Sequence, residues 1–211
     1  MKTILLNSLT SALSGMIFLS YVTANSQSIA FNYAKKTGGS AYDYGNAIAV
    51  DGTGNVYTTG VFQGTADFDP GTGTQNLVSA GGGDIFISKL DADGNYAWAI
   101  ALGGSLDERG MAVTTDAAGN VYVSGYFAGT VDFDPSFLGI NLLVTLGDPD
   151  IFVCKFDGNG NFVWARSMGG TGYDYPFSIA VGSNGNVYTA GKFQGTADFD
   201  PGLFANSLTS N

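Results

Sequence analysis

The sequence contains no histidine, one cysteine and one glutamate among its 211 residues. Without histidine, these residues cannot form a Ser-His-Asp or Cys-His catalytic group, or a His-ligated zinc site. The single cysteine, Cys154, excludes a disulfide framework within the chain. Its counterpart one repeat earlier is Ser88, so we expect a structural position on a strand.

Basic residues are also scarce, with eight Lys and Arg against 18 acidic residues and a net charge of −10. An acidic chain without a basic cluster repels nucleic acids and anionic membranes. We therefore expect no nucleic-acid partner.

Residues 1–26 have the pattern of a secretory signal peptide. Lys2 supplies the positive start, residues 9–22 are mostly apolar, and small residues precede a cleavage position near Ala24 or Ser26. Cleavage would remove Lys2 and leave seven basic and 18 acidic residues, a net charge of −11. No later segment reaches a membrane-spanning length. The predicted location is secreted or cell-surface, with no membrane insertion after signal removal.

Glycine and aromatic residues are abundant, and they recur in a long repeat. The segments "GNVYTTG", "GNVYVSG" and "GNVYTAG" begin at Gly54, Gly119 and Gly185, at spacings of 65 and 66 residues. "DIFISKLDADGNYAW" at 84–98 matches "DIFVCKFDGNGNFVW" at 150–164. Internal repetition at a fixed period indicates a repeat architecture.

Each repeat predicts four antiparallel strands. In the first, these are 47–51, 56–62, 84–90 and 96–102, separated by Gly-rich turns, and no segment shows a helical period. This pattern predicts an all-β fold built from β-propeller blades. Because common propeller repeats are about 40–50 residues long, the extra residues, 64–83 here, are interpreted as an insertion between the second and third strands.

The repeat divides the mature chain, 27–211, into an outer strand at 30–39, blades at 47–103 and 112–169, and a partial blade at 178–211. About two and a half blades cannot close a ring, which needs at least about four. We therefore infer an incomplete ring and an N-terminal fragment of a longer protein.

The run "GGSAYDYGNAIAVDGTGNVYTTGVFQGTADFDPG", continuing to "DIFISKLDADGNYAWAIALGG", resembles the SBBP-type bacterial β-propeller repeat. More narrowly, it is similar to the version found in exported proteins of Bacteroidetes-like bacteria. The resemblance covers residues 30–211. It implies a repeat on secreted or cell-surface proteins, and it carries over no catalytic residues.

A motif of the type Asp-Phe-Asp-Pro occurs once per insertion. Two carboxylates on one side of an extended segment could hold Ca²⁺, whereas a joint would use the Phe as an anchor and the Asp side chains as acceptors for turn N–H groups. We favour the joint and keep Ca²⁺ as the alternative cofactor. The candidate calcium ligands are Asp67, Asp69, Asp132, Asp134, Asp198 and Asp200.

Two further sets of residues are weak binding candidates. Tyr33, Trp98 and Trp164 recur once per blade, and they could stack on sugars or pack one blade against the next. Asp43, Glu108 and Asp174 occupy equivalent loop positions, and they could be exposed acids or blade-to-blade hydrogen-bond acceptors. A catalytic acid and base need different environments so that their pKa values separate. Residues copied into every blade have nearly the same environment, so the repetition argues against catalysis.

These observations predict a non-catalytic, exported or cell-surface propeller module with a structural or binding role. Its expected partner is an extracellular glycan or protein. The first alternative is a carbohydrate-active glycosidase or lyase that uses Asp43, Glu108 and Asp174. The second is a calcium-stabilised adhesion module.

Overall fold

The computed structural model describes the backbone of residues 16–20 and residues 33–202 and 204–211. Within these ranges there are 18 strands, five to nine residues long in the blades and three residues long in the insertions. The strands are β1 Met16–Ser20, β2 Tyr33–Gly39, β3 Tyr44–Val50, β4 Val56–Phe62, β5 Thr65–Asp67, β6 Asn76–Val78, β7 Asp84–Leu90, β8 Tyr96–Leu102, β9 Arg109–Thr115, β10 Val121–Phe127, β11 Thr130–Asp132, β12 Leu142–Val144, β13 Asp150–Phe156, β14 Phe162–Gly170, β15 Tyr175–Val181, β16 Val187–Lys192, β17 Thr196–Asp198 and β18 Ser207–Thr209.

The prediction of an all-β fold with four-stranded antiparallel blades is confirmed. Strands β3-β4-β7-β8 form the first complete blade, and β9-β10-β13-β14 form the second. Strands β15-β16 begin a third blade, and the sheets do not close into a ring. In the described residues, no helix has the length and apolar character needed to cross a membrane.

Of the predicted signal peptide, the described part is Met16–Ser20, which pairs antiparallel with β2. The remainder of residues 1–26, and the beginning of the predicted outer strand at 30–32, lie outside the described residues. The signal peptide stays a prediction.

The inner strand of each blade starts three residues earlier than the alternating pattern predicts, at Tyr44, Arg109 and Tyr175. A bulge in the pairing of each inner strand with the second strand explains this difference. The bulge interrupts the alternation of apolar and polar residues, so the residues before it do not fit a period-two pattern. Gly60, Gly125 and Gly191 lie opposite these bulges. A Cβ atom on any of them would overlap the inner strand's carbonyl oxygen.

The blades pack face to face through apolar side chains. The largest buried cluster joins Tyr57, Ile87 and Leu102 of the first blade to Val123 and Phe152 of the second. Cys154 is fully buried in the same cluster, and burial raises the pKa of its thiol. This is the structural position expected for the cysteine.

We predict that Gly125→Ala lowers the free energy of unfolding by about 2 kcal/mol, because the added methyl group overlaps backbone that cannot move independently. Gly52→Ala is the matched control, since a Cβ at Gly52 meets nothing within 4 Å. Urea unfolding of the two variants tests this. Equal stabilities would show that the bulge does not require glycine.

Candidate functional site

Each insertion folds as a short hairpin, and the first and third hairpins extend the outer strand of the preceding blade. The second hairpin, β11-β12, forms a two-stranded sheet of its own. Strand β5 pairs with β2 through Asp67↔Gly38 and Ala66↔Gly39. Strand β17 pairs with β14 through the equivalent residues, Asp198↔Gly169 and Ala197↔Gly170. The first and third insertions therefore link neighbouring blades by backbone hydrogen bonds.

The phenylalanine of the repeated motif anchors this hairpin. Phe68 is fully buried, with its ring centroid 5.6 Å from that of Phe62 and 5.0 Å from that of Phe86. Phe133 is also fully buried, between Phe127 and Phe152, at 5.5 and 4.9 Å. The aromatic contacts tie the insertion to the second and third strands of its own blade.

The aspartates of the motif accept hydrogen bonds from the turn. Asp67 Oδ1 accepts from the N–H groups of Asp69, at 3.0 Å, and Gln75, at 2.8 Å. The equivalent oxygens are occupied in the same way in Asp132, by Asp134 and Asn141, and in Asp198, by Asp200 and Asn206. Asp69 Oδ1, Asp134 Oδ1 and Asp200 Oδ1 accept from Gly71, Ser136 and Gly202. These contacts are the ones that a joint requires.

No group of three or more Asp, Glu or Cys residues is arranged as a metal site within the described ranges. The calcium hypothesis is untested by this arrangement, but the hydrogen bonds explain the motif without an ion.

We predict that Asp132→Ala lowers the free energy of unfolding by about 1–2 kcal/mol, because two turn N–H groups lose their acceptor. The loss should be the same in calcium and in a chelator. Thermal unfolding in both buffers measures it. A melting temperature of the unmodified chain that falls on chelation would instead support the calcium hypothesis.

The equivalent acids Asp43, Glu108 and Asp174 lie at the blade junctions, and their side chains are 6%, 0% and 0% exposed. Each accepts a hydrogen bond from the N–H of a glycine four residues earlier. The distances are 2.6 Å from Gly39, 2.8 Å from Gly104 and 2.9 Å from Gly170. The structure brings none of these carboxylates to an open surface where a polysaccharide could reach it.

A second set of buried acids was missed by the sequence analysis. Asp84 and Asp150 begin the third strand of each blade, at 2% and 4% exposed. Asp84 Oδ2 accepts from Ala80 N at 2.8 Å, while Oδ1 has no hydrogen-bond partner in the described structure. The repeated "DIF" run at 84–86 and 150–152 is the sequence signal for these acids, because it places an aspartate at the start of an apolar strand.

The two sets meet at the blade junctions, where Asp84 raises the pKa of Glu108 and Asp174 raises that of Asp150. Burial, followed by the charge of Asp84, raises the pKa of Glu108 to about 7, against an opposing hydrogen bond from Gly104. Burial and the charge of Asp174 raise the pKa of Asp150 to about 6. Burial also raises the pKa of Asp84 and Asp174.

Exposed turn aspartates have the opposite shift. The N–H and side-chain amide of Asn95 lower the pKa of Asp91, and Asn161 lowers that of Asp157 in the same way. These turns place Gly94 and Gly160 at φ angles of 78° and 84°, where glycine is favoured.

The pKa shifts predict a stability maximum on the acidic side of neutrality. An acid with a raised folded pKa binds more protons in the folded state, so stability falls as pH rises from about 4.5, the ordinary value for Glu108, to about 7. The turn aspartates lose their contribution as pH falls below about 4. Thermal unfolding should therefore occur at a higher temperature at pH 4.5 than at pH 7.5.

Glu108→Gln should reduce this slope, because the amide cannot ionise. Asp93→Asn, in an exposed turn, is the control and should leave the slope unchanged. Stability that increases from pH 4.5 to 7.5 would contradict the prediction.

The repeated aromatic residues lie between blades. The Trp98 indole donates to Gly158 O at 3.2 Å, and the ring lies against Gly160 of the next blade. Tyr33 lies against Gly94 in the same way. Trp164 is half-buried, lies 6.3 Å from Tyr122 of its own blade and packs against a cluster that includes Ile179 of the next blade. These contacts correspond to blade packing rather than to an open stacking surface.

A different aromatic surface is exposed where the inner strands begin. It comprises Tyr42, Tyr44, Arg109, Tyr126, Tyr173 and Tyr175, and we call it the tyrosine–arginine face. Residues 42–44, 107–109 and 173–175 are equivalent in the repeat, so Arg109 replaces a tyrosine. Cross-strand pairing places Tyr126 opposite Arg109.

The side chains of this face are in mutual contact. The Arg109 guanidinium lies 5.7 Å from the Tyr42 ring centroid, and the Tyr42 and Tyr44 centroids are 4.2 Å apart. The Tyr126 and Tyr175 centroids are 4.6 Å apart. Tyr42, Tyr44 and Tyr173 remain 42%, 50% and 46% exposed.

A cavity of about 320 Å³ opens beside Arg109. The Arg109 Nε atom is buried and lacks a hydrogen-bond partner in the described part of the chain. An aromatic wall with a few polar groups is typical of a small-molecule site. The lining residues are Tyr42, Val61, Gln63, Gly83, Asp107 and Arg109.

Comparison with known families identifies the repeat. The SBBP family, described as a β-propeller repeat, matches residues 32–61 and 163–192. The chain carries SBBP β-propeller repeats. Each matched segment starts near the outer strand of one blade and ends in the second strand of the next. Each match therefore spans a blade junction.

Two curated relatives are similar to the chain. Over 154 residues it is 31% identical to the uncharacterized WD repeat-containing protein L264 of Acanthamoeba polyphaga mimivirus, covering 69% of this chain and 11% of that protein. Over 112 residues it is 28% identical to the regulatory protein FlaEY of Caulobacter vibrioides, covering 53% of this chain and 12% of that protein. The chain thus spans about a tenth of the length of these relatives. The matches support a repeat protein with a binding or structural role.

Proposed function

We propose that this chain belongs to an exported, non-catalytic propeller protein that binds extracellular glycans at the tyrosine–arginine face. The signal-like N-terminus motivates export, and the cavity beside Arg109 carries the proposal for binding. The SBBP repeat supplies the rigid strands on which the face is built.

The chemistry of the cavity suits a sugar ring. The C–H faces of a pyranose pack against aromatic rings, and Tyr42 provides such a ring at the cavity wall. Sugar hydroxyl groups both donate and accept hydrogen bonds, and here Asp107 can accept while Arg109 Nε can donate. The adjacent Tyr44 and Tyr173 would extend the contact to neighbouring sugar units.

The geometry favours binding over hydrolysis. A glycosidase needs two carboxyl groups beside the scissile bond, whereas Asp43, Glu108 and Asp174 are buried and bonded to backbone N–H groups. The asymmetric residue at the surface is Arg109, which is a ligand-binding group rather than an acid.

Titration calorimetry against a panel of soluble bacterial and plant polysaccharides tests the proposal. We expect binding without turnover, and an affinity reduced by about tenfold or more, equivalent to about 1.4 kcal/mol, in Tyr42→Ala and in Arg109→Ala. Tyr188→Ala is the control, because Tyr188 is 58% exposed at the opposite end of β16 from Lys192.

Two results would contradict the proposal. One is an absence of binding across the panel, or equal losses in the control variant. The other is release of reducing ends that disappears in Glu108→Gln, which would establish the carbohydrate-active alternative.

A further inference from the structure

The insertion of the second blade has an apolar tip that its counterpart in the first blade lacks. Gly139 N donates to Ser136 O at 3.2 Å and closes a turn, from which Phe137 and Leu138 project 99% and 90% exposed. The next residue in the hairpin, Ile140, is 76% exposed. The corresponding segment in the first blade is Gly71–Gln75, which contains only Gly, Thr and Gln.

The same apolar surface continues along β12. Leu142, Val144 and Leu146 are 57%, 57% and 75% exposed, while Leu143 between them packs against the buried core. No charged residue occurs between Asp134 and Asp148. The blade does not need these six side chains for its own packing.

One edge of β12 is open. In the described structure β12 pairs with β11 and with no other strand. Thr145 N donates to Gly129 O, and Phe133 N donates to Asn141 O. Because the bonds of an antiparallel ladder alternate, the main-chain groups of Leu142 and Val144 point to the open edge. Natural edge strands are usually protected by charge or proline, and this one has neither.

We propose that this edge pairs with β12 of a second copy, antiparallel and about a twofold axis. Such a contact is self-complementary, since each copy offers the same residues to the other. It also joins two chains at an uncharged segment, although each carries a net charge of −10. That charge opposes close approach elsewhere on the surface.

The size of the surface fits a weak dimer. At about 60–120 Å² per fully exposed apolar side chain, six largely exposed side chains present on the order of 400 Å² per copy. Exposed patches of that size commonly mark interaction sites. Two copies together, with their main chains, reach the lower limit of about 1,000 Å² for a specific interface.

Sedimentation velocity of the full chain over a range of concentrations tests the proposal. We expect a reversible monomer–dimer equilibrium whose dissociation constant rises at least about tenfold in Val144→Lys, because the charge cannot be buried at the edge. Val78→Lys is the matched control: Val78 pairs with Thr65 as Val144 pairs with Thr130, and it is 65% exposed in the first blade. It should leave the equilibrium unchanged.

Either of two results would overturn the proposal. A chain that stays monomeric at all concentrations would exclude a second copy as the partner of this edge. Binding of that monomer to neutral lipid vesicles through Phe137 would lead to the same conclusion. Equal weakening by Val78→Lys and Val144→Lys would show that association does not use β12. Melting temperatures equal to that of the unmodified chain verify that both variants fold.

Discussion

Every blade of this protein has an apolar face that a neighbouring blade must cover. Strand β4 illustrates the requirement, since all seven of its residues are buried between β3, β7 and the next blade. The equivalent strand β16, which has no following blade against it in the described structure, has most of its residues exposed. Burial of apolar surface is the main favourable term in folding, so the stability of one blade depends on the next.

The insertions strengthen this dependence between blades. The first and third hairpins add a strand to the sheet of the preceding blade, and the buried phenylalanines of the first and second, Phe68 and Phe133, pack in their own blades. The aspartates on either side of Phe68 satisfy the turn. A motif whose acidity suggests a metal ion therefore has a complete structural explanation. At the junctions, Glu108 and Asp174 accept backbone hydrogen bonds, although burial raises the pKa of both carboxyl groups.

Positions that depart from the repeat identify the surfaces that differ from one blade to the next. Identical positions in every blade perform the same packing task, which is why Trp98 and Trp164 lie against neighbouring elements. Arg109 and the apolar tip at Phe137 have no such task. Phe137 is exposed and Arg109 is half-buried beside an open cavity, and both therefore carry the proposals on binding.

The sequence by itself determined the four strands of each blade, apart from the first three residues of the inner strands, together with the turns and the blade order. Alternating side chains, Asp-Gly turns and a fixed period act over a few neighbouring residues, which is why they can be read locally. The burial of Phe68 and Phe133 agrees with the prediction that these residues anchor the insertions. Tertiary structure alone decided which side chains meet across blades. Asp84 lies 24 residues before Glu108, and Tyr42 lies 67 residues before Arg109, and no local pattern relates them. Their proximity follows from strand register and from the stacking of one sheet on the next, which place distant residues in a common environment.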